Sequence, residues 1–124
     1  MTRLLLSMLV AFSLAAHAEQ DVDAEVAHLL VFVADSGCTF VRNGTEHSSQ
    51  DAAEHLQMKF KRGRRYVDSA EDFINRLASE SSWSGKPYTV QCGDSVEASG
   101  VWLHRELAAY RQSDSITTQA TAGP

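Results

Sequence analysis

No apolar run in the chain reaches the roughly 20 residues that a membrane-spanning helix needs, so stable membrane insertion is not expected. No Cys-x-x-Cys occurs, since Cys38 and Cys92 are the only cysteines. That excludes a thiol oxidoreductase of the usual dithiol type. There is no G-x-S-x-G, and the residue three before Lys86 is Trp83 rather than the serine of an S-x-x-K dyad. Gly85-Lys86 resembles the end of a phosphate loop, but the first glycine is missing and Pro87 stands where a Ser or Thr would meet magnesium. Nor is there a basic excess: 11 Lys and Arg against 16 Asp and Glu leave a net charge of −5, which argues against a nucleic-acid partner. No internal repeat or second domain is visible.

What is present begins with MTRLLLSMLVAFSLAAHAEQ. Arg3, the apolar stretch Leu4 to Ala16 and the small-x-small triplet Ala16-His17-Ala18 follow the order of a secretory signal peptide, residues 1–18, cleaved after Ala18. An uncleaved anchor is the rival reading. No cysteine follows the cleavage point, so a lipid anchor is not expected. The mature part, residues 19–111, has the size of one small domain, marginally stable without help. Export places Cys38 and Cys92 where disulfides persist. One intramolecular bridge is expected, the alternative being two buried thiols. Residues 112–124 are Ser, Thr, Ala and Gln with almost no apolar anchor and read as a disordered tail.

Hydrophobic spacing divides the domain. Val22, Val26, Leu29, Leu30 and Val33 recur at helical intervals, acidic residues occupy the first turn, and Gly37 is a plausible stop. Val31 and Phe32 widen the apolar face, so the end of this helix should be well buried. Asn43-Gly44 is the preferred pair for a two-residue type I′ hairpin turn. It sets Arg42 opposite Thr45, Val41 opposite Glu46 and Phe40 opposite His47. Ser48 or Ser49 caps a second helix with Ala52, Ala53, Leu56 and Phe60 inward, broken near Gly63. Ser69 caps a third, with Phe73, Ile74, Leu77 and Ala78 on one face. After a loop, Ser81 to Lys86, Pro87 introduces a strand in which Tyr88, Val90 and Cys92 alternate with Thr89 and Gln91. Gly93-Asp94 turns it, Val96-Glu97 returns as a short strand, and Ser99 or Gly100 starts a last helix with Leu103, Leu107 and Tyr110 inward. The expected fold is α+β: a small antiparallel sheet, one hairpin plus one or two further strands, under about four helices in a single disulfide-linked domain.

FVRNGTEHS, AAEHLQMK, AEDFINRLASESS and SGKPYTVQC together resemble the YfeK-like family of small bacterial envelope proteins, domain of unknown function family 5329. The similarity runs from Phe32 to Tyr110. It implies a periplasmic address and no particular activity, and it brings no catalytic residues to carry over. Asn43-Gly44-Thr45 spells a glycosylation acceptor, set aside because a bacterial envelope protein is implied.

The candidate binding residues are Arg42, His47, His55, Lys59, Lys86 and Tyr88. His47 and His55 lie across a strand-to-helix join and could ligate zinc or copper, although their spacing matches no standard pattern and Lys59 would repel a cation. His47 is expected beside Phe40, hydrogen-bonded toward the next helix. Serines 79, 81, 82 and 84 precede Lys86, and a hydrolase needs one of them to meet a histidine through a tertiary contact. The basic run Lys59 to Arg65 suits an anionic envelope ligand, or simply complements its helix dipole at roughly 0.3–1 kcal/mol per cation. The leading reading is a non-enzymatic periplasmic interaction or binding module, with no cofactor, whose partner is an envelope protein or an anionic envelope ligand. The alternatives are a small periplasmic hydrolase using His, Ser and Lys residues, and a metal-binding protein acting through His47 and His55.

Overall fold

A computed structural model describes residues 21–121. The expected signal peptide lies outside the described residues, as do residues 122–124.

The chain enters helix α1 (Val22–Asp35) with Asp21 as its cap, whose carboxylate accepts from the Ala24 N–H at 3.2 Å. Gly37, at φ +65°, turns the chain out of the helix. Strands β1 (Thr39–Arg42) and β2 (Thr45–His47) follow as a hairpin. Asn43 and Gly44 both have positive φ, 50° and 76°, as a type I′ turn requires. The register is the expected one: Phe40 opposite His47, Val41 opposite Glu46, Arg42 opposite Thr45. Ser48 caps helix α2 (Ser49–Gly63) by accepting from the Asp51 N–H, and a 3₁₀ turn, Arg64–Tyr66, closes it. Helix α3 (Ala70–Asp72), capped by Ser69, runs directly into a π-helical segment, Phe73–Ala78. Strands β3 (Thr89–Cys92) and β4 (Ser95–Ala98) form the second hairpin, and α4 (Ser99–Thr121) ends the described chain.

The sheet is fully antiparallel in the order β2-β1-β3-β4, so a long connection through two helices returns the second hairpin to the free side of β1. One face is covered. Phe40 and Val90 lie opposite each other on it and are buried, while Gln91 and Val96 face away and are exposed. The core joins Val26, Leu29 and Val33 of α1 to Leu56, Phe73, Ile74, Leu103 and Leu107. Trp102 closes it, 4.4 Å from Phe32 and 5.5 Å from Phe40 between ring centroids. This is the α+β single domain that the spacing predicts. Cys38 and Cys92 are joined, with Cα atoms 4.7 Å apart.

Three local expectations change. Val31 is 59% exposed, because the inward positions of α1 are Val26, Leu29 and Val33 and the helical turn carries Val31 away from them. The third helix is wound as π rather than α along Phe73–Ala78. Ser79 Oγ donates to the Ile74 carbonyl at 2.7 Å, so a side chain satisfies one of the carbonyls left at the helix end. The expected disorder from Gln112 gives way to helix. α4 continues to Thr121, exposed from Gln112 to Ala120, since adding a residue to an anchored helix costs far less than nucleating one.

One ion-pair network ties helices across this core. Glu25, 6% exposed, receives two hydrogen bonds from Arg111, from Nε at 2.7 Å and Nη2 at 2.9 Å. Arg111 also pairs with Glu71. The Arg111 hydrogen bond holds the Glu71 carboxyl below its ordinary range, and the two carboxylates raise Arg111.

The bridge closes a 54-residue separation. In the chain-entropy model that destabilises the unfolded state by about 4 kcal/mol. Cys38→Ala/Cys92→Ala should lose stability of that order in urea denaturation, with an unchanged circular dichroism spectrum at low temperature. Gly100 provides a second check. A Cβ there would lie 2.5 Å from Ser79 Oγ, so Gly100→Ala must displace the hydroxyl that caps the π segment. A loss of roughly 1–3 kcal/mol is expected. In a Ser79→Ala background the same substitution should cost far less, a coupling measurable by a double-mutant cycle.

Candidate functional site

Four of the six candidate side chains meet where the end of β1, the middle of α2 and the start of β3 come together. Arg42 and Phe40 are two apart in β1, so both point to the helical side of the sheet. Phe40 is buried, whereas Arg42, at the strand end, reaches past the core to α2. Its Nη1 lies 2.7 Å from His55 Nε2 and 2.8 Å from Nδ1. A guanidinium only donates, so the imidazole accepts through whichever nitrogen lacks the proton. Burial, then the charge of Arg42, then that of Lys59 bring the His55 pKa from 6.5 to about 4.

Lys59 follows His55 by one helical turn. Its Nζ donates to Tyr88 Oη at 3.1 Å and to the Glu80 carbonyl at 3.3 Å, and it sits 5.1 Å from the Tyr88 ring centroid. Burial first, and Arg42 second, lower the Lys59 pKa, with the Glu80 carboxylate partly opposing them. Burial raises the Tyr88 phenol. None of Arg42, Lys59 or Arg62 forms an ion pair with a carboxylate among the described residues.

These residues separate two spaces. Inside lies a small cavity of about 40 Å³ bordered by Phe40, His47, Asp51, His55 and Ser99. Outside lies an open groove of about 530 Å³, walled by Arg42, Lys59 and Arg62 on one side and by Ser81, Ser82 and Trp83 on the other. Its volume falls within the roughly 300–1,000 Å³ of small-ligand sites, and its lining contains no carboxylate side chain.

The loop that forms the far wall is braced. Ser81 Oγ accepts from the N–H groups of Trp83 and Ser84 at 3.3 Å and from Asn43 Nδ2 at 3.2 Å. The Asn43 side-chain Oδ1 in turn accepts from the Ser84 hydroxyl. The hairpin turn therefore holds the loop as well as the register of β1.

His47 and Lys86 stand apart. His47 lines the inner cavity, but its Nε2 is buried without a hydrogen-bond partner among the described residues, so the expected link from that nitrogen to the next helix is not formed. Lys86 is exposed and lines neither space; its N–H and carbonyl serve the loop, to Ser84 Oγ and from Ser81 N. Pro87, two residues before β3, makes an isolated antiparallel bridge with Glu80. Arg42 lies against both His55 nitrogens, which a metal ion would need. Among the described residues no group of three or more His, Cys, Asp or Glu is placed to hold a metal, and no histidine nitrogen is hydrogen-bonded to a serine hydroxyl.

The basic run divides by function. Lys59 and Arg62 enter the groove, Arg64 pairs with Asp23 at 2.9 Å, and Arg65 lies over Tyr66. His55, Lys59 and Arg62, spaced by four and three, form one face of α2, a pattern visible in the sequence. Trp83 and Asn43 carry no such signal.

The arrangement defines a small disulfide-stapled α+β domain with a cation-lined groove at one end of its sheet. The chain belongs to the family of unknown function DUF5329, whose model matches residues 20–111. Over 50 residues it is 50% identical to the uncharacterized protein YfeK of Salmonella typhimurium, a match spanning 40% of this chain and 42% of that protein. No solved structure matches.

The half-buried, neutral His55 makes a pH prediction. Its folded pKa, about 4, lies below the ordinary 6.5. Between those values the unfolded chain binds more protons, so the stabilising contribution is complete above pH 6.5 and declines as the pH falls toward 4. The melting temperature should fall over that window. His55→Gln, which keeps an acceptor for Arg42, should flatten the decline; an equally steep curve in the variant would place the titration elsewhere.

Proposed function

We propose that this is an exported, non-enzymatic binding protein whose ligand is a small anion seated in the groove between α2 and the Ser81–Lys86 loop. The observation that carries the reading is the groove's charge. Arg42, Lys59 and Arg62 line one open space with no carboxylate in its lining. Like charges so placed repel, and an anion relieves that repulsion. Elsewhere among the described residues Arg64, Arg76, Arg105 and Arg111 are each paired with a carboxylate, while Lys61, Arg65 and Lys86 are not; what marks the groove is that three cations share one lining. His55, neutral and hydrogen-bonded to Arg42, holds the guanidinium in place while leaving its other N–H groups available.

Two features support export. A disulfide bridges the domain, as suits an oxidising compartment, and residues 1–18 carry a signal-peptide pattern. Among the described residues no helix is long and apolar enough to cross a membrane. In a bacterium of the YfeK type the address is the periplasm.

The test uses inorganic phosphate as probe. Titrated into the ¹⁵N-labelled mature protein at low ionic strength, it should move signals of Arg42, His55, Lys59 and Arg62. The response should weaken as chloride rises, because exposed charges are screened. Arg62→Gln, at an exposed position, should weaken binding several-fold without changing the melting temperature; the loss of one charge-assisted contact is roughly 1 kcal/mol. Shifts scattered over the surface, or unaltered by Arg62→Gln, would reject the groove.

A further inference from the structure

The Trp83 side chain is 92% exposed, more than any other large hydrophobic residue described. It nevertheless lines the groove, and it sits on the loop whose backbone is pinned through Ser81, Ser84 and Asn43. An indole held in water on a braced loop contributes nothing to the core. Its faces are open: no ring or cation stacks on it, whereas Lys59 lies over Tyr88 and Arg42 lies against His55. The groove's lining thus includes one indole with no ring or cation stacked on it, three cations, and small polar groups, of which the exposed Ser82 makes no side-chain hydrogen bond within the described residues.

We propose that the ligand is an anionic saccharide: a pyranose ring stacked on Trp83, its carboxylate or phosphate held by Arg42, Lys59 and Arg62. This rests on the anion-binding reading above and names the class of anion. The C–H face of a pyranose is apolar and packs on an indole, while its rim of hydroxyls needs the donors and acceptors that the loop supplies. A lone inorganic ion leaves the indole without a role. A long polyanion is disfavoured by the chain's net charge of −5, which opposes it at every contact beyond the groove. A short glycan with isolated charges meets only the local cations.

The experiment follows the indole N–H and groove signals in ¹H–¹⁵N spectra. Trp102, 9% exposed, supplies a second, buried indole as internal control. The probes are galacturonic acid, galactose 6-phosphate, galactose, adenosine monophosphate and inorganic phosphate. At least one of the two charged sugars should move the Trp83 indole together with Arg42, Lys59 and Arg62, and galactose should bind roughly tenfold more weakly or worse. Whichever charged sugar is tighter distinguishes a carboxylated from a phosphorylated source. Trp83→Ala should weaken the charged sugar by roughly tenfold, Trp83→Tyr by less, and neither should change the response to inorganic phosphate. Charged sugars that move the cations but leave Trp83 still, galactose binding equally well, or adenosine monophosphate binding more tightly than either charged sugar would each overturn the saccharide proposal and leave the anion reading standing. No response to any probe, inorganic phosphate included, would remove both.

Discussion

The register of β1 is the constraint on which the rest depends. β1 is paired on both sides, with β2 through a two-residue turn and with β3 through a long return. Side chains alternate across a sheet, so a slip of one residue would exchange its faces. Phe40 would leave the core, Val41 would enter it, and Arg42 would point away from α2. Asn43-Gly44 prevents this at one end because its positive φ values suit a two-residue connection. The Cys38–Cys92 bridge prevents it at the other, clamping β1 to β3 just outside their pairing. The same turn reaches the groove, since Asn43 also braces the loop carrying Trp83. Fold register and groove shape share one dipeptide.

Charge is handled in two ways in this molecule. Where a carboxylate is buried, as at Glu25, a bidentate arginine meets it, and that arginine is shared with a second helix through Glu71. Leaving such a buried group unpaired would cost several kcal/mol. In the groove the opposite holds. Burial and then the charge of Arg42 lower the Lys59 pKa, and the hydrogen bonds of both cations go to neutral groups: His55, Tyr88 and a backbone carbonyl. Neutral acceptors orient the cations without cancelling their charge. That is the arrangement the proposed anion site requires, in contrast to a salt bridge held for stability.

Much of the fold was legible in the sequence because its signals are local. The hairpin register follows from Asn43-Gly44, the helix starts from Asp21, Ser48 and Ser69, and the disulfide from two lone cysteines behind an expected signal peptide. The site was legible only in part. Arg42, His55, Lys59 and Tyr88 could be named because the first sits at a strand end, the next two lie one turn apart on a helix, and Tyr88 alternates inward with Val90. Their convergence depends on the return of β3 to the free side of β1, which no local pattern encodes. Lys86 does not join the others: it sits exposed in the loop between Gly85 and Pro87. The end of α1 and residues after Gln112 went astray for a related reason: hydrophobicity and composition say what a segment tolerates, while neighbouring structure decides what it does. The π-wound segment Phe73–Ala78 ends where Ser79 donates to the Ile74 carbonyl beside Gly100, a contact between residues 21 apart in sequence.

Preorganisation is what makes an open, solvated groove useful. A surface arginine or lysine loses rotamer freedom when it grips a ligand, a loss of roughly 0.5–1.5 kcal/mol per side chain. Here Arg42 is held by His55, Lys59 by Tyr88 and Glu80, and the loop by three side-chain hydrogen bonds to Ser81. Most of that ordering is complete before a ligand arrives. Arg62 and the Trp83 ring remain exposed at the rim, where adjustment is least costly. An ordered floor with an adaptable rim favours recognition of a feature shared by several ligands, a charge beside a ring, over selection of a single molecule. On the proposed reading that architecture gives a class specificity, and the half-buried imidazole of His55, hydrogen-bonded to Arg42, is part of the ordered floor.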